Sequence, residues 1–256
     1  MKNQMKLAKG LVFFVFAVLV AVIKVPGVYG NTLSYDCNFQ NDLKSLEQVQ
    51  ADTNSEYLKQ VRTEAEIRKS ILSKIINCSI QEVDALRSKL DEVKIADKDM
   101  SPLKAQLFTD LDGVIDYYKS ETQQISNLGI QGSKNLAKEL LDWRVGNYSY
   151  LAGRVVNFIT WSNNQDLVRV AENRLTSIKI SFLNLKTEDE TINETIKEAE
   201  LNLKSAKVLN QAARQAMQEF QPPEIVLDKI KDSLDGLALV YKKFFEISEI
   251  ANKTLP

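Results

Sequence analysis

The amino-acid sequence predicts an all-α protein: an elongated antiparallel helical bundle of about six to eight helices with coiled-coil-like packing. Three observations predict it. Beyond residue 40, apolar residues recur every three or four positions, the period of amphipathic helices. Glycine (9) and proline (5) are scarce, so the turn-rich look of an all-β chain is missing. Polar turns and caps break the pattern into long segments, and long helices joined by short turns pack as antiparallel neighbours.

The elements follow in order. A first helical stretch covers 41–77 and breaks near Asp52, where Thr53-Asn54-Ser55-Glu56 reads as a capping box. Ser79-Ile80-Gln81-Glu82 is a second such box and predicts a helix start reaching about Ile95. Ser101-Pro102 reads as an N-cap with proline in the first turn. Leu103, Leu107, Leu111, Val114, Tyr118 and Ile125 then form one face. A glycine-bearing turn covers 127–132, and Ser133 is read as the next cap. Leu136, Leu140 and Trp143 mark the inner face of that helix. Gly146-Asn147 should kink or interrupt it near Tyr148.

The stripe resumes through Leu151, Val155 and Phe158 to Trp161, and Ser162-Asn163-Asn164 reads as a turn or cap. Leu167, Ala171, Leu175, Ile178, Phe182 and Leu185 are the following stripe. Acids at 188–190 suit a helix N-terminus. Ile192, Ile196, Ala199, Leu203 and Ala206 continue toward Phe220, and Pro222-Pro223 forces a break. Leu227, Ile230, Leu234, Leu237, Tyr241 and Phe244 give the last helix. The chain is long enough for two sub-bundles, with a division expected near 96–133.

The N-terminus carries the most specific signal. Three lysines in 1–9 precede an uninterrupted apolar run of 14 residues, Gly10 to Ile23. Lys24, Pro26 and the small-residue step Val28-Tyr29-Gly30 follow. That is the order of a secretory signal peptide, with cleavage after Gly30. The run falls short of the roughly 20 residues that span a bilayer comfortably. The competing reading is an uncleaved anchor, which would be the chain's only membrane contact. Either way residues 31–256 are expected to be exported: periplasmic, cell-surface or secreted.

Charge and composition exclude several functions. Residues 1–30 hold four lysines and no acid, so the remainder carries 29 basic against 34 acidic residues, a net −5. A mildly acidic chain lacks the footprint of a nucleic-acid binder. Histidine is absent, which removes the commonest general base and metal ligand. No catalytic residue, cofactor or metal site is predicted. Glu194, Glu198 and Glu200 read as a solvated helix face, because di-metal bundles need histidine among such carboxylates. Four N-x-S/T triplets, at Asn77, Asn147, Asn193 and Asn252, are within chance for this composition.

Cys37 and Cys78 are the only cysteines. An even count in an exported chain suggests a disulfide. A straight helix between them would hold its ends about 55 Å apart, against the roughly 7 Å a disulfide tolerates. An intramolecular bridge therefore requires a chain reversal, best placed at 50–56. The alternatives are an intermolecular bridge or two free thiols.

The densest aromatic cluster is Trp143, Arg144, Tyr148, Tyr150 and Trp161, with Phe158. It reads either as a core layer or as a ligand or partner face, where Trp, Tyr and Arg concentrate binding energy. Arg144 over a ring could hold an anionic or aromatic ligand.

Cys37-Asn38-Phe39-Gln40-Asn41-Asp42, Ile76-Asn77-Cys78, Asp116-Tyr117-Tyr118, Asp142-Trp143-Arg144 and Ile159-Thr160-Trp161 resemble segments of a loose group of exported, all-helical bacterial envelope proteins. The resemblance implies an envelope location and both cysteines in one pattern, and it brings no activity. The expected function is a non-enzymatic envelope scaffold or protein-interaction protein with a protein partner, homo-oligomers being open. A ligand-sensing bundle with its site at the Gly146 kink is the alternative, and a histidine-free carboxylate enzyme is the remote one.

Overall fold

The computed structural model describes residues 37, 39–53, 56–95, 97–185 and 189–254. The leader, its cleavage point after Gly30, Asn54 and Ser55 of the first capping box, and Glu188 lie outside the described residues. Among the described residues the protein is an all-α bundle of seven α-helices with no strand. They are α1 (Gln40–Ala51), α2 (Tyr57–Glu92), α3 (Ser101–Gln124), α4 (Ile130–Trp143), α5 (Ser149–Leu185), α6 (Glu190–Gln218) and α7 (Pro223–Thr254).

The helices form two compact units, each built from two stretches of chain. Unit 1 takes the described residues up to Ser88 together with Gln106–Ala152. Unit 2 takes Lys89–Ala105 and Gly153–Pro256.

In unit 1, α1 ends at Asp52 and the chain reverses. Gln60 donates through Nε2 to the carbonyls of Val49 and Asp52, tying the corner. Gln50 Nε2 then meets Glu64 Oε1 at 3.0 Å. That carboxylate also receives Nε and Nη2 of Arg68, a fully buried arginine. Burial pushes the Glu64 pKa up, but these donors and the Arg68 charge outweigh it, and the net shift is downward. The reversal brings Cys37 beside Cys78, Cα to Cα 5.8 Å, and the disulfide closes within the chain.

The predicted break at Ser79 does not occur. Helix α2 runs through it, and Ser79 Oγ donates to the Ile75 carbonyl as an ordinary in-helix serine. Leu72, Ile75, Val83, Leu86 and Leu90 form one buried seam across the site. Burying that seam outweighs a local capping preference. Two further caps also move. Asp97 accepts from Asp99 N and caps a short 3-10 turn (Lys98–Met100), so Ser101 is already helical. Helix α4 starts after Gly129, and Ser133 is a buried residue whose Oγ donates to the Gly129 carbonyl.

In unit 2, α5, α6 and α7 form a three-helix core. Helix α6 runs antiparallel to both others: Glu172 and Lys179 of α5 pair with Lys207 and Glu200 of α6, and Ser233 and Lys243 of α7 meet the Ala206 carbonyl and Glu198 of α6. Asp189 caps α6, accepting from the Thr191 and Ile192 amides. Heptad positions carry the seam. Ala199, Leu203, Ala206 and Ala213 bury on α6, with Ile230, Leu237 and Val240 on α7. On α5 Ala171 and Leu175 are buried as expected, but the stripe is joined by Val168, whereas the expected Leu167 is 44% exposed. The turn or cap expected at 162–164 is also absent: α5 continues through it, with Asn164 on the seam.

Helix α6 closes at Phe220, whose φ of 56° lies in the left-handed region. The Gln221 amide bonds the Ala216 carbonyl and the Phe220 amide that of Met217, the double bond of a Schellman closure. Pro223, which lacks an amide proton, then opens α7.

Candidate functional site

The candidate site is a buried polar and aromatic cluster inside unit 1, built from α2, α3 and the junction after α4. Between Trp143 and Ser149 the α-helical ladder widens into a π-helix, Arg144–Tyr148. The sequence signalled an interruption here through Gly146-Asn147, and the π-turn is its form. Ser149 Oγ donates to the Arg144 carbonyl and Asn147 Nδ2 to that of Trp143, covering acceptors in the widened turn. Single π-turns in α-helices frequently accompany functional sites.

The turn places Arg144 and Tyr148 inward on one carboxylate of α2. Arg144 Nη2 donates to Glu82 Oε2 at 2.7 Å, and Tyr148 OH donates to Glu82 Oε1 at 3.1 Å. The Arg144 guanidinium lies over the Tyr148 ring, 4.9 Å from its centroid. Both residues are buried. The Tyr118 hydroxyl lies in the electrostatic reach of Arg144 and Ser79 but makes no hydrogen bond of ordinary geometry among the described residues. Outside this core, Trp143 stacks on Tyr117 at 3.9 Å and 14°, with Tyr118 edge-on to Trp143. Both stacked rings are half-buried.

The electrostatics are those of a closed lock. Burial disfavours the Arg144 charge, but Glu82 more than offsets this, and the guanidinium pKa is raised. Burial, with the Glu82 charge added, drives the Tyr148 phenol well above its ordinary range. Tyr118 is also raised, by burial first. Tyr117 is pushed up to about 12 by burial and by Glu121 and Glu139. All three phenols therefore stay protonated at neutral pH. They can donate hydrogen bonds and stack, but none is poised as a base.

The five expected residues are placed as follows. Trp143, Arg144 and Tyr148 come together in this cluster. Tyr150, two residues on, is 42% exposed. Trp161 is a core residue of unit 2, its Nε1–H donating to the Asn210 carbonyl. The sequence reading missed Glu82, Tyr117 and Tyr118 as members. The sequence reads Glu82 as part of a helix cap, and no local signal marks a carboxylate for a partner 62 positions away.

Among the described residues no group of three or more acidic or cysteine side chains is placed to hold a metal ion. Glu198 and Glu200 pair with Lys243 and Lys179 on neighbouring helices. No family model matches the chain, and neither a curated protein nor a solved structure matches it significantly.

Proposed function

We propose that the protein is a non-enzymatic, extracytoplasmic helical scaffold or protein-interaction protein of the cell envelope. The Cys37–Cys78 bridge carries this reading. Disulfides form and persist in oxidising compartments and are rare in the cytosol. The basic-apolar-small order of residues 1–30 supports the same compartment. Among the described residues no helix is long and apolar enough to cross a membrane. Contact with partners would then fall to exposed positions such as Val145 and Tyr150.

The test is the intact mass of the protein recovered from its own envelope, with and without reductant. A chain starting at Asn31 that gains two hydrogens on reduction supports an exported, internally bridged protein. A full-length, reduced chain in the cytosol overturns it. A photo-crosslinking residue at Tyr150 then tests for the protein partner. No adduct in intact cells would count against the interaction role.

One observation favours the ligand-sensing reading. The π-turn begins at the residue after Trp143, whose half-buried ring stacks on Tyr117. With Trp161→Phe removing the second indole, Trp143 fluorescence reports on that stack alone. A saturable change with one small molecule from a broad panel supports the reading. Silence across the panel removes it.

A further inference from the structure

The three-helix seam of unit 2 contains a connected polar layer. Asn164 on α5 donates through Nδ2 to Asn210 Oδ1 on α6 at 3.0 Å and to Ser233 Oγ on α7 at 2.8 Å. Ser233 Oγ donates in turn to the Ala206 carbonyl at 2.8 Å. Asn164, Asn210 and Ser233 are each at most 4% exposed.

The apolar part of the seam hardly distinguishes one register from the next. On α6, Ala199, Ala206 and Ala213 repeat every heptad, and so do Ile196 and Leu203 up to Asn210, with Met217 beyond it. On α7, Val226 and Val240 flank Ser233 at the same spacing. Gly236 packs closely on Ala206, but Ala199 or Ala213 would serve that contact equally. Slide α6 by one heptad and Ala199 and Ala206 take the places of Ala206 and Ala213, and Ile196 that of Leu203; Ile192 in the place of Ala199 is the one mismatch among these. The polar layer changes most: Asn164 would face Leu203 or Met217, and the N–H that Asn210 Oδ1 accepts would lose its partner in a dry core, while the bond to Ser233 on α7 is kept. An unmet buried donor is strongly disfavoured, and a single buried asparagine is known to fix register in coiled coils at a cost in stability.

We propose that Asn164, Asn210 and Ser233 are a register lock, which selects one alignment of α5, α6 and α7 and is not needed for the core to form.

The test replaces the layer in the full chain with Asn164→Leu, Asn210→Leu and Ser233→Ala. Spin labels go on Lys197→Cys and Lys242→Cys, both exposed, with the native disulfide kept oxidised. Pulsed electron spin resonance then reads the α6–α7 distance. The labelled parent should give one narrow distance. The apolar variant should unfold at an equal or higher temperature and show a second, longer distance, because an axial slide of about 10 Å, one heptad of helix rise, adds in quadrature to the lateral separation of the labels. A single narrow distance in the variant overturns the lock. So does a variant that fails to fold, because the layer would then be a stability element. The milder Asn210→Leu, measured the same way, should broaden the distribution, and an unbroadened one counts against the proposal.

Discussion

Arg144 and Glu82 meet at 2.7 Å although 62 positions separate them. Arg144 is 2% exposed in its side chain, and Glu82 21%. This asymmetry predicts unequal effects. Glu82→Ala leaves a charged guanidinium buried without its counter-ion, a loss of about 3 kcal/mol. Arg144→Met fills similar volume and leaves a carboxylate that can reach water, so its cost should be about 1 kcal/mol. Urea unfolding of both variants checks the order. Equal losses would mean that the pair is not what holds the π-turn.

The tyrosines predict an alkaline limit. A phenol whose pKa is higher folded than unfolded contributes stability that is complete below its unfolded value near 10. Above that pH the unfolded chain releases its proton first, and stability falls. With Tyr117 at about 12, and Tyr118 and Tyr148 also raised, the urea midpoint should decline from pH 10 toward pH 12. Absorbance at 295 nm should show these rings lagging the rest. A single ionisation wave near pH 10 for all eight tyrosines would contradict the burial described.

Glu64 predicts an opposite, acid-side effect. Its pKa is lowered, so its contribution is present above the unfolded value near 4.5 and is lost as pH falls through the folded one. Glu64→Gln should flatten the midpoint-versus-pH curve in that range.

The disulfide closes a loop of 41 positions. Loop-closure entropy at that length corresponds to about 4 kcal/mol. Cys37→Ser, or reduction of the parent, should lower stability by that order. A change under 1 kcal/mol would show that α1 docks on α2 without the bridge.

Phe220 holds a left-handed conformation that costs a side-chain-bearing residue about 1 kcal/mol. Against this stands the Arg154 guanidinium, 4.9 Å from the Phe220 ring centroid. An exposed cation–π contact is worth about 0.5 kcal/mol. Phe220→Gly should therefore stabilise slightly. Gly153→Ala should do the reverse, because its Cβ would stand 2.9 Å from Pro223 Cβ. Overpacking of that kind costs about 1–3 kcal/mol. Thermal unfolding of the two variants should move in opposite directions.

Much of this architecture is legible from periodicity. The stripes at Leu107, Leu111, Val114 and Tyr118, and at Ile192, Ile196, Ala199 and Leu203, are buried as their spacing requires. Pro222-Pro223 and Asp189 bound their helices for local reasons. Other local signals misled. The Ser79 box, the Ser133 cap and the 162–164 turn all read as boundaries and all lie inside helices. At Ser79 and at 162–164 the backbone bonds of a continuous helix, with a seam buried on one side, outweigh one side-chain cap; at Ser133 the helix starts three residues earlier, after Gly129. Polar seam residues were the other omission. Asn157, Asn164, Asn210 and Ser233 stand at heptad positions, and counting apolar residues alone passes over them. Asn157 is fixed by the Pro223 carbonyl at 2.6 Å, a partner on another helix.

The sequence by itself determined that the chain is helical, which side of most helices is buried, and that a helix break near Asp52 stands between its two cysteines. Those properties depend on residues within a few turns of one another, where the 3.6-residue period and capping chemistry act. Tertiary structure alone decided which helices share a unit, that Cys37 and Cys78 close within one chain, and that Glu82 belongs to Arg144 and Tyr148. A heptad stripe presents the same apolar face to any neighbour. Choosing among neighbours takes directional partners, a carboxylate for a guanidinium or an amide for a hydroxyl, and these become visible only when distant turns are brought within hydrogen-bond reach.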